Sequence, residues 1–334
     1  MRAGSGHADD PQAGTQQPEL AADPSRAPGW LVTWHSDLLT RVDQLDWLRR
    51  LNDWLTGALG PVRERYQDNL VLELLHGGRW VGHPLHPALC DLPIGLWTSA
   101  TLLDAADRSP APRPGLDAAG LLSAAGTLAA GATALTGLSD WTVSNDQDRR
   151  IGLFHGLLNT AALGLQGASL AARMTGHRSS ARALGAAGLA VTAGAAYFGG
   201  HLVFTKGVMV NRVGWATGPR RWVRALEESE LPDDSPVAVE AEGRQVLLYR
   251  HHGGLHAIDN ICSHAGGLLS RGPVADLIVT CPLHGSRFAL ADGCVLRGPA
   301  SQPQPVLRTR IRNGWIEVRG SQPAPRRAKE RTQP

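Results

Sequence analysis

Two short loops in the last third of the chain carry the side chains best suited to binding a metal. The first offers Cys262 and His264, and after sixteen intervening residues the second offers Cys281 and His284. This donor set suits a [2Fe–2S] cluster with two cysteines on one iron and two histidines on the other, and it also suits one zinc ion. Zinc fingers place both cysteines on one arm and both histidines on the other, whereas each loop here has one of each. The pattern favours an iron–sulfur cluster, with zinc as the alternative.

The residues around the two loops carry a family resemblance. The segments NICSHAGGLLSRGPV and CPLHGSRFALADGCVLRGPA resemble a Rieske domain of the ferredoxin type, over about residues 235–320. The resemblance implies that Cys262 and Cys281 bind the inner iron, and that His264 and His284 bind the outer iron, nearer solvent. A Rieske cluster transfers single electrons and makes or breaks no bonds in a substrate.

Two neighbouring positions bear on the expected reduction potential. By the resemblance, Ser286 keeps a hydroxyl that donates to a bridging sulfide, and Phe288 replaces a tyrosine that donates to a cysteine sulfur. High-potential members also join their loops by a disulfide, at the positions of Gly267 and Leu283. Each donor that is lost leaves the reduced cluster less stabilised. We therefore predict a potential in the lower part of the Rieske range, which runs from about −150 to +300 mV.

The residues that surround these loops alternate as short strands do. From about residue 235, seven short segments alternate apolar and polar residues, separated by turns such as Asp292-Gly293 and Asn313-Gly314. Short strands at this spacing indicate a small antiparallel barrel or sandwich.

Four apolar stretches come before that module. They span residues 88–105, 118–139, 151–172 and 183–205. The last three carry no Lys, Arg, Asp or Glu and are long enough to cross roughly 30 Å of hydrocarbon as helices. A soluble bundle, the alternative, needs a charged outer face. The expected fold class is α + β in two domains, a four-helix transmembrane bundle followed by the small antiparallel all-β Rieske domain.

The bundle segment also has a resemblance. GHPLHPALCDLPIGLWTSATLLDAA, with TGLSDW, FHGLLN and GGHLVFTKGVMV further on, resembles a bacterial integral-membrane domain family of unknown function, over about residues 75–212. The resemblance implies a topology and no chemistry.

Four crossings bring several polar residues to the end of the bundle that faces both termini. These are His83, His86, Asp91, Asp140, His155 and His201. Ionisable groups at membrane depth cost free energy and often mark function. The alternatives are a haem b or another metal on a histidine pair, with His155 and His201 preferred, a quinone pocket, or a hydrogen-bonded cluster that fixes the helix ends.

The remaining segments complete the expected organisation. Residues 1–29 and 321–334 are predicted to be disordered, 30–74 to form an amphipathic helical region, and 213–234 to be a linker. A net charge of +3 from 33 basic and 30 acidic residues argues against a nucleic-acid partner. Basic residues near the helix ends slightly favour cytoplasmic termini, so we expect a four-pass protein of the bacterial cell membrane with a cytoplasmic Rieske domain.

These features predict a membrane-anchored Rieske protein that carries out one-electron transfer. Its partner would be a haem, a quinone or an electron donor or acceptor protein at the histidine end of the bundle. The alternative is a redox-sensing or complex-assembly protein whose bundle is only an anchor. An oxygenase catalytic subunit is not expected, because about fifteen residues after the barrel leave no room for a second iron domain.

Overall fold

The computed structural model describes residues 29–61, 70–107, 116–215 and 218–320. The predicted disordered segments lie outside these residues, apart from Gly29. The chain divides into two compact units, Met1–Val42 and Asp43–Pro334. Helix α1, Gly29–Asp43, contains all the described residues of the first unit, and its last residue, Asp43, belongs to the second. Everything below belongs to the second unit.

The second unit begins with helices. Those within the described residues are α2 (Asp46–Ala58), α3 (Leu70–His76), α4 (Gly78–Val81), α5 (Leu85–Ala106), α6 (Ala118–Thr142), α7 (Asp146–Met174) and α8 (Arg178–Phe204). The four long helices form a closed arrangement in which α5 packs on α6, α6 on α7, α7 on α8, and α8 on α5. Pro84 precedes α5, where its fixed φ suits a helix start. The Asp117 carboxylate caps α6 by accepting from the Gly120 N–H at 2.8 Å.

Two of the helices in the described part of the chain, α6 and α8, are long and apolar enough to cross a membrane. The other two long helices, which the sequence also predicted to cross, do not have a stretch as long and apolar as these two. Helix α5 contains Asp91 and Asp104, and α7 contains His155, Asn159 and Gln166. Two of the four expected crossings are thus supported by length and composition.

The long helices bury small or polar side chains and expose large apolar ones. On α6, Ser123 and Thr136 are only 1% and 2% exposed, whereas Leu121, Leu128 and Leu135 are 58–79% exposed. The seven-residue spacing places these three leucines on one face of the helix. A bundle that folds in water has the reverse pattern.

The end of the bundle formed by the α5–α6 and α7–α8 connections is closed by ion pairs. The Arg173 guanidinium pairs with Asp104, and both side chains are buried. Arg182 lies 3.0 Å from Asp107, and Arg178 lies 3.2 Å from the same carboxylate. The described network joins Asp104, Asp107, Asp117, Arg173, Arg178 and Arg182. All four long helices are therefore held together at this end.

The C-terminal part is antiparallel β-structure, as the sequence predicted. Its strands are β1 (Val223–Glu227), β2 (Val237–Ala241), β3 (Arg244–His251), β4 (Gly254–Asp259), β5 (Val274–Ala275), β6 (Ile278–Thr280), β7 (Arg287–Ala289), β8 (Val295–Arg297), β9 (Leu307–Arg312) and β10 (Trp315–Gly320). They form three sheets, in the orders β1-β10-β9, β2-β3-β4 and β5-β6-β7-β8.

The first strand corrects a predicted boundary. β1 lies inside the segment 213–234 that the sequence indicated as a linker, and it pairs with β10, the last strand. Its partner is therefore far away in the sequence, which is why local alternation gave no sign of it.

Strand β3 is buried on both faces and separates two cores. Leu247 and Tyr249 pack in one core with Cys262 and Cys281, the cysteines of the two cysteine–histidine loops, which we call the cluster loops. Val246 and Leu248 pack in the other, beneath β10. Because both cysteines lie in the first core, this core supports both cluster loops.

Candidate metal centre

The two cysteine–histidine loops fold in the same way. The first follows β4, and the second joins β6 to β7. In each loop the cysteine N–H donates to the carbonyl five residues on, from Cys262 to Gly267 and from Cys281 to Ser286, both at 2.8 Å. In each loop a glycine four residues after the cysteine has a positive φ, +80° at Gly266 and +75° at Gly285. Glycine adopts this conformation at little cost, and it turns each loop back on itself.

The turns bring the four donor side chains together as two pairs. The imidazole rings of His264 and His284 have centroids 5.0 Å apart and lie edge to face. The Cys262 and Cys281 thiols are hydrogen-bonded to each other in the core. Within the described residues, no three His, Cys, Asp or Glu side chains converge on a single ion position. A thiol pair beside an imidazole pair fits a two-iron cluster with Cys₂ on one iron and His₂ on the other.

Main-chain N–H groups point at both sulfurs. The pKa of Cys281 is lowered, because the Cys262 thiol donates to its sulfur and the N–H groups of Leu283 and His284 also donate to it. The pKa of Cys262 is raised by its donation to Cys281 and by burial, against N–H donation from His264 and the next residue. N–H donors aimed at sulfur stabilise the thiolate, which is the form that binds iron.

The two histidines differ in their exposure. Burial lowers the pKa of His264 well below its usual value, and His284, His76 and Arg212 lower it further. The ring is therefore neutral, as a metal ligand must be. His264 is 8% exposed, whereas His284 is half-buried. The imidazole pair thus has one side covered and one side open.

The loops touch at the two positions where high-potential Rieske proteins have a disulfide. A Cβ added to Gly267 would lie 2.9 Å from the Leu283 Cγ and 3.0 Å from the Cys281 sulfur. Residues 267 and 283 are therefore neighbours across the loops, as the resemblance implies. Because Gly267 has no side chain, the two loops approach each other closely here without a disulfide.

The two predicted tuning residues are fully buried next to the loops. The Ser286 hydroxyl oxygen accepts from the Ala300 N–H at 2.9 Å, which leaves its own O–H to donate elsewhere. Phe288 lies on β7 opposite Val279 and packs in the core that holds both cysteines.

The C-terminal β-structure is similar in sequence to known proteins. A family model described as the Rieske [2Fe–2S] domain matches residues 221–310. The ferredoxin component of a naphthalene 1,2-dioxygenase system from Pseudomonas aeruginosa is 33% identical over 82 residues, which span 25% of this chain and 79% of that protein. The chain belongs to the Rieske [2Fe–2S] family. The family match begins just before β1, so it includes the strand that the sequence boundary left out.

Two further similarities cover the same Rieske domain. Sulredoxin from Sulfurisphaera tokodaii is 30% identical over 105 residues, covering 29% of this chain and 96% of that protein. The solved structure of the ferredoxin of carbazole 1,9a-dioxygenase from Nocardioides aromaticivorans is 28% identical in sequence, with a TM-score of 0.29, and the match covers 30% of this chain and 98% of that chain.

The helical part matches a second family model. This model, described as a predicted membrane protein (DUF2231), matches residues 82–212.

In the helical part, the structure brings two of the predicted histidines together. The rings of His86 and His155 lie edge to face with centroids 6.3 Å apart. The His86 Nδ1–H donates to the Thr133 carbonyl at 2.9 Å, and the His155 Nδ1–H donates to the Ala195 carbonyl at 2.8 Å. Each histidine thus ties two helices together, α5 to α6 and α7 to α8.

The other predicted residues of this end occupy separate positions. His83 is exposed, with Nδ1 2.9 Å from the Pro84 carbonyl oxygen. Asp91 is exposed on α5, and His201 is half-buried in the last turn of α8. Asp140 is buried, and its partner is a histidine that the sequence did not indicate.

That histidine is His76, the last residue of α3. It is 1% exposed. Its Nδ1 lies 2.7 Å from Asp140 Oδ1, and its Nε2 lies 2.7 Å from the Pro299 carbonyl oxygen in the Rieske domain. A carbonyl can only accept, so the Nε2–H donates to the Pro299 carbonyl, while the Asp140 carboxyl group holds the ring through Nδ1. The only local sign of this role was a histidine followed by Gly77-Gly78 after an apolar turn.

Other contacts join the helical part to the cluster loops. The Gln302 amide nitrogen donates to the Gly82 carbonyl at 2.5 Å, and the Arg212 N–H donates to the Ser263 carbonyl at 3.0 Å. A Cβ on Gly78 would lie 3.1 Å from both the His76 ring and the Ser301 Cβ. The segment 298–302 is therefore held between the helices and the cluster loops.

Proposed function

We propose that this chain is a membrane-anchored one-electron carrier whose cluster exchanges electrons with a partner at the membrane surface. The observation that carries the proposal is the pairing of two thiols and two imidazoles by two matching loops in a Rieske domain. The cluster would be held by Cys262 and Cys281 on one iron and by His264 and His284 on the other. When bound, it accepts and returns single electrons.

The protein's own groups prepare that site. The loop N–H groups would stabilise the two cysteines as thiolates once iron is bound, and the Ser286 hydroxyl would be available to a bridging sulfide. Phe288 fills the core without a donor, which supports a potential in the lower part of the Rieske range. Burial keeps His264 neutral for binding.

The helical part would anchor the carrier in the bilayer with four crossings. The inward small and polar residues and the outward leucines of α6 support this, because lipid is the solvent in which that arrangement is stable. Helices α5 and α7 would join α6 and α8 in the membrane, since His86 of α5 and His155 of α7 form their hydrogen bonds inside the bundle. We propose that the Rieske domain lies on the cytoplasmic side.

The open side of the imidazole pair is where an electron partner would approach. His284 is half-buried and follows the exposed residues Pro282 and Leu283. An accessible ligand edge with an apolar neighbour suits brief contact with a redox protein or with a quinone. The relative from Pseudomonas aeruginosa is the ferredoxin component of a dioxygenase system, which favours a redox protein.

We do not propose a haem b on His86 and His155. The ring nitrogens that iron would need are engaged, since His86 Nε2 lies 3.6 Å from the Cys90 sulfur and His155 Nε2 lies 3.1 Å from the Asn159 amide nitrogen. The pair joins helices instead.

Oriented membrane vesicles test the proposal. Dithionite, a reductant that crosses membranes poorly, should reduce the oxidised cluster in inside-out vesicles but not in right-side-out vesicles until detergent is added. Reduction only in right-side-out vesicles would overturn the cytoplasmic placement. Release of the protein by carbonate washing would overturn the membrane anchor.

A further inference from the structure

We propose that His76 and Asp140 are positioning residues through which the helical part sets the reduction potential of the cluster. The route runs from Asp140 to His76, through the Pro299–Ala300 peptide, to Ser286. This inference rests on the proposed function, because it requires the cluster that the Rieske domain would hold. It concerns residues of the helical part that bind no iron themselves.

The first half of the route is a buried pair in the helical part. Asp140 lies in the last turns of α6 and His76 at the end of α3, and they are 7% and 1% exposed. Because Asp140 holds the Nδ1 of the His76 ring, the orientation of the ring is fixed, and with it the direction in which Nε2 points. That direction is the Pro299 carbonyl, at 2.7 Å.

The second half lies inside the Rieske domain. The carbonyl of Pro299 and the N–H of Ala300 belong to the same peptide group, so a donor to one end polarises the other. The Ala300 N–H donates to the Ser286 oxygen at 2.9 Å. A hydroxyl that accepts a hydrogen bond becomes a stronger donor in turn, particularly where the surroundings are buried. The Ser286 O–H is the group that the family resemblance aims at a bridging sulfide.

The packing around the route keeps it short. Gly78 has no side chain to separate the helices from residue 301. The Gln302–Gly82 hydrogen bond attaches the same segment to the helices, but it does not lead to Ser286. It is therefore a matched control, an interdomain contact of similar kind that lies outside the proposed route.

Loss of the route should disfavour the reduced cluster. Without His76, the Ala300 N–H is a weaker donor, so Ser286 donates less strongly to the sulfide. The more negative, reduced state depends most on that donor. The potential should fall in the same direction as when Ser286 itself is changed.

The test is an EPR-monitored redox titration of the full-length, cluster-containing protein in detergent. Ser286→Ala should lower the ratio of reduced to oxidised cluster by about tenfold at a fixed ambient potential, which corresponds to about 59 mV for one electron. His76→Leu should lower it by about threefold, the effect expected from weakening one buried hydrogen bond. His76→Gln, whose amide can still donate to the Pro299 carbonyl, should keep the ratio of reduced to oxidised cluster close to that of the wild type. Gln302→Ala should leave the ratio unchanged.

Two further measurements separate a relay from a general effect. His76→Leu made in the Ser286→Ala background should produce no additional fall, because the route already ends there. Hydrogen exchange of the peptide containing Ala300 should quicken in His76→Leu and in Asp140→Asn, and this readout does not depend on the cluster.

The outcomes are distinct. A wild-type potential in His76→Leu, or an equal fall with and without Ser286, would overturn the inference. Unchanged exchange at Ala300 would also overturn it. A wild-type protein with no Rieske EPR signal would overturn the proposed function instead, whatever the exchange data gave.

Discussion

At one end of the four long helices, arginines and aspartates satisfy one another, and at the other end a buried histidine and aspartate find their outer partner in a different domain. The Arg173–Asp104 pair and its neighbours close the first end within the bundle. At the second end, His76 satisfies Asp140 and then donates to Pro299, beyond the helices.

The difference follows from what buried polar groups require. A charged or hydrogen-bonding group that is removed from water must be paired, or the fold loses several kcal/mol. At the first end, the buried polar groups are paired within the helices, so this end needs no other domain. At the second end, His76 is paired with Pro299 of the Rieske domain, so this end binds that domain. We infer that changes at the first end affect the bundle alone, whereas changes at the second reach the Rieske domain.

The largest expected effect is at the closed end. Arg173→Gln leaves Asp104 buried without its main partner and should lower the stability of the helical part by about 3–5 kcal/mol. Unfolding in detergent, followed by helical circular dichroism, measures this. The control is Arg79→Gln, which breaks a more exposed pair with Glu73 and should cost at most about 1 kcal/mol.

The same variant tests whether the two ends are independent. The cluster potential of Arg173→Gln should equal that of the wild type wherever the protein is still folded. A shifted potential would show that the closed end also communicates with the cluster, and the contrast between the ends would then be wrong.

A smaller effect is expected at the junction. Gly78→Ala puts a methyl group 3.1 Å from both His76 and Ser301, so the segment 298–302 must move at a cost of about 1–3 kcal/mol. Hydrogen exchange in that segment should become faster. Gly156→Ala is the control, because nothing lies within 4 Å of its added methyl group. Equal protection in both variants would mean that the junction is loosely packed.

The smallest expected effect is a change in the reduction potential of the cluster when a residue beside it is replaced. Phe288→Tyr should raise the potential, because it adds a donor toward a cysteine sulfur, worth about 1 kcal/mol for one hydrogen bond. Tyr249→Phe removes a hydroxyl that bonds Asp234 in the same domain, and it should leave the potential unchanged. A potential that fell or stayed constant in Phe288→Tyr would show that residue 288 does not point at the cluster.

What the sequence could predict depended on how local the signal was. The four candidate ligands lie in two short loops, and each loop carries its own turn glycine, so spacing and residue type were enough. The strands around them alternate visibly. β1 was missed because its pairing with β10 spans almost the whole domain.

The two ends of the bundle show the same limit. The topology indicated that His86, Asp140 and His155 would share one end, and helix lengths were sufficient for that inference. His76 could not be found, because its partner Pro299 is 223 residues away. The ion-pair end was missed because its charges flank short connections, where solvated residues are the usual expectation.

The central claim is that a [2Fe–2S] cluster occupies the loops of Cys262, His264, Cys281 and His284. Metal and sulfide analysis of the detergent-purified protein, combined with EPR of the dithionite-reduced sample, tests it most directly. We expect about two irons and two sulfides per chain, with a Rieske EPR signal that disappears in His264→Ala and His284→Ala. One zinc ion per chain, with neither iron nor sulfide, would contradict it.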